Sequence, residues 1–512
     1  MRKRRLLRLL LGLEVALALV LAWRFTGCSF ARFWQRRAHM GDIFGKMLPP
    51  DWGYFPRILS PLWATLQMSL TGTALGALLA LVTAPLCAAN LGRPRLLRLP
   101  LRVFIQVLRA FPTLILALTA TFLFGLGSFA GAVAITLYTF AILTRLNYED
   151  IENAPTGAYQ ALCAMGSRRG PAFFRACLPQ VGSSFLSNAL YLLETNVRHS
   201  AILGYVGAGG LGLLLNEKTS WREYAKVGSI LLALLLAVCL IESLSAWLGS
   251  LIRGQRRIGP GAKRLLLAAL ALLVLLSTAT LEAPDFSRGN LQTAKSLFSG
   301  LFSPELSLFL VPGRDGLGWL LLETACIALV GTALGALLSL PLAILGSGRL
   351  MPRPAAALFR LVSVAVRSIP FLIWGLIFIR VTGPGAFTGV LTMAVCSIGL
   401  LTKRFIAAID GVDLRPWRAL AAMGVSPLLR LRHALLPQLL PALGSAALYR
   451  FDVNIREASV LGLVGAGGIG APLIFAMQHY AWREAGAISL SLVLLVWLVD
   501  LLSGKVRRGV RG

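Results

Sequence analysis

The sequence predicts an all-α membrane protein of about twelve transmembrane helices, arranged as two parallel six-helix repeats. Three observations carry that expectation. Hydrophobic residues make up 57% of the 512 positions and charged residues only 14%. Mean hydropathy is +0.75. Long segments also recur at a fixed offset of 258 residues, from Leu190 to Leu448 for example. A soluble domain carries about 25% charge and under about half apolar residues, so a soluble enzyme does not fit.

The first candidate span runs roughly from Leu6 to Trp23, after a basic start. No small-residue cleavage site follows it, and the stretch from Phe25 to Arg37 is bulky and basic. It therefore reads as a retained helix with a cytoplasmic N-terminus. Further spans are expected near 60–90, 101–126, 128–147, 181–212 and 226–250. A second set follows near 265–281, 318–346, 356–381, 386–408, 439–474 and 485–503, which places the repeats at 1–258 and 259–512.

The net charge of +29, from 50 Lys+Arg against 21 Asp+Glu, raises nucleic acid as a partner. The positions of the charges argue otherwise. The stretch 91–102 holds Arg93, Arg95, Arg98 and Arg102 without an acid, and the mid-chain linker holds Arg253, Arg256, Arg257, Lys263 and Arg264. The C-terminal tail adds Lys505, Arg507, Arg508 and Arg511. The expected outer loop 282–317 instead balances Arg288, Lys295 and Arg314 with Glu282, Asp285, Glu305 and Asp315. Basic residues concentrated on one side are the positive-inside pattern, with both termini cytoplasmic. One outer loop dissents: 26–57 holds Arg32, Arg36, Arg37, Lys46 and Arg57 against Asp42 and Asp51. It is either an amphipathic interfacial helix or a face for an anionic solute.

Metal and disulfide chemistry find no support. The seven cysteines form no CxxC pair and several lie in apolar runs, where cysteine acts as a small hydrophobe. The four histidines lack ligand spacing.

The repeat is the strongest signal. LYLLETNVRHSAILGYVGAGGLG from Leu190 matches LYRFDVNIREASVLGLVGAGGIG from Leu448, and Arg109–Pro112 matches Arg367–Pro370 at the same offset. Both repeats start inside, so they are parallel, with a solute path expected at their interface. The cytoplasmic loops 148–180 and 403–437 share a pattern. Ala161 and Gly166 precede Leu178-Pro179, and Ala419 and Gly424 precede Leu436-Pro437, with identical spacing. A helix, a glycine turn, a short amphipathic helix and a proline would form a knob suited to a cleft on a soluble partner.

This pattern resembles the EAA coupling loop of permease subunits of ATP-binding-cassette importers of the type I fold. Gln160 and Arg418 stand where that family often has glutamate. The segment N-[VI]-R-x-[SA]-[AS]-[IV]-L-G-x-V-G-A-G-G-[LI]-G resembles the phosphonate-type permeases, as does Arg-[AS]-[FI]-Pro. The resemblance covers nearly all of the chain from about residue 60 and implies two permease units fused in one chain, a pseudo-dimer present once per complex. It implies a multi-pass protein of the bacterial inner membrane, and uptake of phosphonate or a related phosphorus oxyanion by alternating access. It also implies two partner ATPase subunits, which bind ATP and Mg, and a separate extracytoplasmic solute-binding protein. This chain itself has no G-x(4)-G-K-[ST], since Gly45-Lys46 and Gly504-Lys505 are followed by Met and Val. No catalytic site and no cofactor are expected in it. The alternatives are a permease for another small solute such as an amino acid, or a twelve-helix secondary transporter. Nucleic acid is not expected, for want of a contiguous basic soluble domain.

Three sets of residues then stand out. The segments Gly207, Gly209, Gly210 and Gly465, Gly467, Gly468 formally match G-x-G-x-x-G, but a membrane helix precedes each. A bend, or a gate near the outer face, explains them better than a dinucleotide. The pairs Gly72/Gly76 and Gly331/Gly335 read as helix-packing sites. Arg198 and Arg456 lie in apolar helices with Asn196 and Asn454. They serve either as ion pairs with Glu194 and Asp452 one turn earlier, or as positive potential for an oxyanion in a water-filled path. Arg109 and Arg367, beside the kinking Pro112 and Pro370, are further path candidates.

Overall fold

Leucine- and alanine-rich segments in a medium without water must close their backbone hydrogen bonds internally, and a single helix does so within one segment. The protein is described by a computed structural model covering residues 2–252, 254, 259–285, 288–313 and 316–511. Arg253, Arg256, Arg257, Arg314 and Asp315 of the charge pattern lie outside the described residues. Among the described residues every regular element is helical.

All the expected spans fall on helices. Six are long and apolar enough to cross a membrane: Trp52–Cys87, Ser128–Asn153, Tyr224–Ile252, Leu317–Gly346, Ala386–Asp410 and Trp482–Gly504. Two bent pairs raise this to eight: Arg95–Ala110 with Thr113–Phe124 at 93°, and Arg353–Ser368 with Phe371–Thr382 at 84°. The count by length and composition is therefore below twelve, for a physical reason. The helices Leu178–Leu203 and Leu436–Leu461 carry acids, arginines and asparagines in their middles, and Arg264–Ala279 is a shorter apolar helix. The bends fall where the sequence placed kinks. Pro112 and Pro370, which cannot continue the preceding helix, instead cap the next one.

The chain forms two compact units, and contacts do not group it by repeat. One unit is Gly45–Leu297 and the other combines Met1–Phe44 with Phe298–Gly512. In the first unit, Phe55–Cys87 packs along Ser128–Asn153. Gly72 and Gly76 make that approach possible: a Cβ on Gly72 would stand 2.6 Å from Ile135 Cγ2, and one on Gly76 2.7 Å from Thr139 Cβ. Leu178–Leu203 packs against both helices. Pro260–Ala279, the opening helix of the second repeat, also belongs here, with Ser277 and Thr71 hydroxyls 2.9 Å apart.

The second unit repeats this arrangement. Leu317–Gly346 packs along Ala386–Asp410, where a Cβ on Gly331 would meet Met393 Cβ at 2.5 Å. The N-terminal helix Arg2–Phe25 packs here, with the Phe25 ring 4.6 Å from Trp319. The dissenting segment 26–57 is largely helical, over Phe30–Gln35 and Arg37–Met47. Its Arg36 and Arg37 are exposed, and Arg37 stacks 4.1 Å above the Trp34 ring.

Each unit has one further matched clasp. Arg102 pairs with Glu152 and donates to Cys87 O at 2.8 Å. Arg360 pairs with Asp410 at 3.4 Å and donates to Gly346 O at 2.8 Å. Each arginine thus joins three segments immediately before the repeated loop.

Candidate functional site

The repeated loops fold as the spacing predicts. In the first, helix Gly157–Ala164 stops at Gly166, whose φ of +83° is left-handed backbone that favours glycine. The chain resumes at Arg169–Ala172, makes one wide π turn over Phe173–Cys177, and enters Leu178–Leu203 with Pro179 in its first turn. The second loop follows the same course through Arg415–Ala422, Gly424 at φ +72°, Pro427–Arg430, a π turn at Leu431–Leu435, and Pro437. The first knob is anchored by buried Tyr159 and Phe173, with Tyr159 OH donating to Leu91 O at 3.2 Å. The second is held by Gln438, which accepts from Asp413 N at 3.1 Å, and by Arg415, whose hydrogen bond holds the Asp413 carboxyl below the usual range.

Ala161 and Ala419 lie on exposed faces of these knobs, as do Gln160 and Arg418. Two residues that the sequence reading did not single out complete each tip. Met165 and Met423, immediately before the turn glycines, are 82% and 75% exposed. Their signal was available, because both sit inside the repeated Ala-Leu-x-Ala-Met-Gly. Beside the second knob, Arg349, Asp413, Arg415 and Arg418 line a pocket of about 570 Å³.

The glycine segments lie at the far end of the helices that leave the knobs. All six candidate gate glycines have positive φ, from +71° at Gly210 to +85° at Gly207. Gly127 N donates to Gly207 O at 3.0 Å, and Gly385 N donates to Gly465 O at 2.9 Å. Each segment is also tied to a long helix: Leu211 N donates to Thr65 Oγ1 at 2.8 Å, and Ile469 N to Thr324 Oγ1 at 3.0 Å. They are tight turns between two helices, without the preceding strand that a dinucleotide turn needs.

Asn196 and Asn454, expected along the path, lie in matching buried seams. Asn196 Nδ2 donates to Thr73 Oγ1 at 2.8 Å and Thr139 Oγ1 at 2.7 Å. Asn454 Nδ2 donates to Thr332 Oγ1 at 2.7 Å and Ser397 Oγ at 2.9 Å. Arg198 and Arg456 form the one-turn ion pairs foreseen as one of the two readings, 3.1 Å to Glu194 and 3.0 Å to Asp452. Arg367 is buried and Arg109 half-buried at the two helix bends.

A further ion pair is buried in the second unit. Arg450, 2% exposed, donates from Nη2 to Glu457 Oε2 at 2.8 Å and from Nε to Ser397 Oγ at 3.1 Å. Neither residue is repeated, so the repeat pattern does not mark them. The repeat-related positions are Leu192 and His199.

A family model described as "Binding-protein-dependent transport system inner membrane component" matches residues 72–257 and again 335–508. The chain is 30% identical over 473 residues to the "Phosphate-import permease protein PhnE" of Mycolicibacterium smegmatis, covering 91% of this chain and 88% of that one. It is 38% identical over 189 residues to the "Phosphite transport system permease protein PtxC" of Stutzerimonas stutzeri, covering 37% of this chain and 69% of the other. Among solved structures, an inward-facing form of the MetNI methionine ABC transporter superposes at 26% identity and a TM-score of 0.33. The match covers 37% of this chain and 94% of that one.

Proposed function

The chain belongs to the binding-protein-dependent transport system inner membrane component family, and from that premise we propose that it carries phosphorus oxyanions through the inner membrane. Phosphonate, phosphite and phosphate are the solutes of this reading, with uptake driven by ATP on separate ATPase subunits. The chain is a multi-pass permease subunit of an ABC transporter. The supporting observation is the relative named for phosphate import, aligned over 91% of this chain.

In this reading both permease repeats, 1–258 and 259–512, reside in one polypeptide, so one copy serves two ATPase subunits and one solute-binding protein. Both termini and both knobs face the cytoplasm. The geometry supports a lever. Each knob continues through its π turn into a helix of 26 residues, Leu178–Leu203 or Leu436–Leu461, which ends at a glycine segment. At about 1.5 Å per residue this is a rod of about 39 Å. Movement of a knob by the closing ATPase pair is carried along the rod to the tight turn, where Gly207 or Gly465 is held to the neighbouring loop by one backbone bond. ATP and Mg act on the ATPase subunits. Arg198, Arg456, Arg109 and Arg367 supply positive potential along the solute path, offset at the first two by their paired carboxylates.

The test is uptake. The chain is co-expressed with its ATPase and binding protein in cells lacking phosphorus-oxyanion uptake. Labelled phosphate, phosphite and methylphosphonate are then supplied. ATP-dependent accumulation of at least one is expected. Accumulation of amino acids alone, or uptake that persists without the ATPase, overturns the reading.

A further inference from the structure

Three repeat-related positions differ together between the repeats. In the first unit, Tyr138 packs its ring 5.1 Å from His199, and Leu192 is buried on the same helix. The related positions in the second unit are Cys396, Glu457 and Arg450. A tyrosine has become a cysteine, which frees volume, and a leucine–histidine couple has become an arginine–glutamate pair. The pair stands on one stripe of its helix, since residues seven apart return to the same face. Asn454 lies between them.

Stability alone is a weak reason for such a pair. A buried ion pair is often no better than apolar residues of similar size, and the first repeat folds with tyrosine, leucine and histidine at these positions, without an arginine–carboxylate pair. Its donors are also not all used. Arg450 Nε and Nη2 are engaged, while its buried Nη1 has no hydrogen-bond partner, and neither has the buried Asn454 Oδ1. A guanidinium suits a tetrahedral oxyanion by charge and fork geometry. A carboxylate already on it would keep such a contact transient.

We propose that Arg450 is a transient oxyanion-binding group used in only one of the two repeats, with Glu457 as a resident carboxylate that competes with the solute and displaces it. This rests on the phosphorus-oxyanion reading above. In the resting state Glu457 neutralises Arg450. As the solute passes, its oxygens take Nη1 and Nη2, and the return of Glu457 releases it. The two repeats are then unequal: the second carries an arginine–glutamate pair where the first carries leucine and histidine.

The decisive variant is C396Y/R450L/E457H, which copies the set with which the first repeat folds. It is assembled with the ATPase and binding protein in proteoliposomes and compared with wild type for labelled phosphate, phosphite and methylphosphonate uptake. The expected result is normal assembly and a fall in uptake of about tenfold or more. Glu457→Gln tests the competition separately: its apparent KM is expected to fall, and its maximal rate to fall as well, because release slows. Wild-type-like uptake by the triple variant, or a KM for Glu457→Gln that is unchanged or raised, overturns the proposal while leaving the transport reading intact. If wild type transports none of the three solutes, the transport reading fails first and this inference fails with it.

Discussion

Asn454 Nδ2 donates to Thr332 Oγ1 at 2.7 Å, joining residues 122 positions apart. The direction of this bond is fixed by its neighbours. Thr332 Oγ1 gives its proton to Ala328 O at 2.6 Å, and Ser397 Oγ gives its own to Met393 O at 2.6 Å. Both hydroxyls can only accept, so the amide must present its NH2. Asn454→Ala is expected to lower the thermal midpoint of the purified chain by loss of two interhelical bonds, each worth about 0.6–1.7 kcal/mol. Asn454→Asp, which puts an acceptor opposite acceptors, is expected to be worse. Equal midpoints for Asn454→Asp and wild type would remove the seam from the stability argument.

The packing glycines give a second prediction. A Cβ on Gly76 would lie 2.9 Å from Thr136 O, which is backbone and cannot turn aside. Gly444, by contrast, has nothing within 4 Å. Gly76→Ala is expected to cost about 1–3 kcal/mol through overpacking, whereas Gly444→Ala, in a helix interior, is expected to stabilise by about 0.5–1 kcal/mol. Denaturation of both variants in the same detergent checks the sign of each effect.

The knob tips give a third. Met165 and Met423 are exposed at matched positions, and thioether side chains adapt to a partner surface. Met165→Glu and Met423→Glu are expected to leave the chain's own unfolding free energy within about 0.5 kcal/mol of wild type. Each is expected to reduce ATPase co-purification and solute-stimulated ATP hydrolysis. If both variants retain full ATPase binding, the tips are not the contact.

How much of this could be read from the chain depends on whether a residue is repeated. Gly166 and Gly424, Asn196 and Asn454, and the bends at Pro112 and Pro370 each occur twice at a constant offset, and the structure gives each pair matching geometry. Arg450 and Glu457 occur once, so repetition does not mark them; they stand out only as differences between the aligned repeats. Grouping into units was also hidden. Hydropathy places Arg2–Phe25 and Pro260–Ala279 at the head of their repeats, but their contacts depend on bonds such as Ser277 with Thr71, which leave no periodic trace. Length and composition alone mark fewer spans than the repeat pattern does, because Leu178–Leu203 and Leu436–Leu461 carry acids, arginines and asparagines in their middles.

The paired arginines allow the two readings of Arg456 to be separated. Its partner Asp452 is buried, and the two are 3.0 Å apart on successive turns. Removing the guanidinium alone leaves a buried carboxylate without its counter-ion, a change that costs about 3–5 kcal/mol in buried pairs. Arg456→Gln is therefore expected to lose both stability and uptake, which by itself decides nothing. Asp452→Asn with Arg456→Gln removes both charges and keeps the shape, so stability is expected to return to near wild type. Uptake separates the roles: with the fold restored, an arginine that only braces its helix allows transport to recover, whereas one that supplies potential to a passing anion does not. The expectation is recovery of the thermal midpoint with uptake still reduced by about tenfold or more. The same cycle at Glu194 and Arg198, 3.1 Å apart, should behave alike, because both pairs occupy equivalent turns of their repeats. Full recovery of uptake in both double variants would leave these arginines as structural braces only.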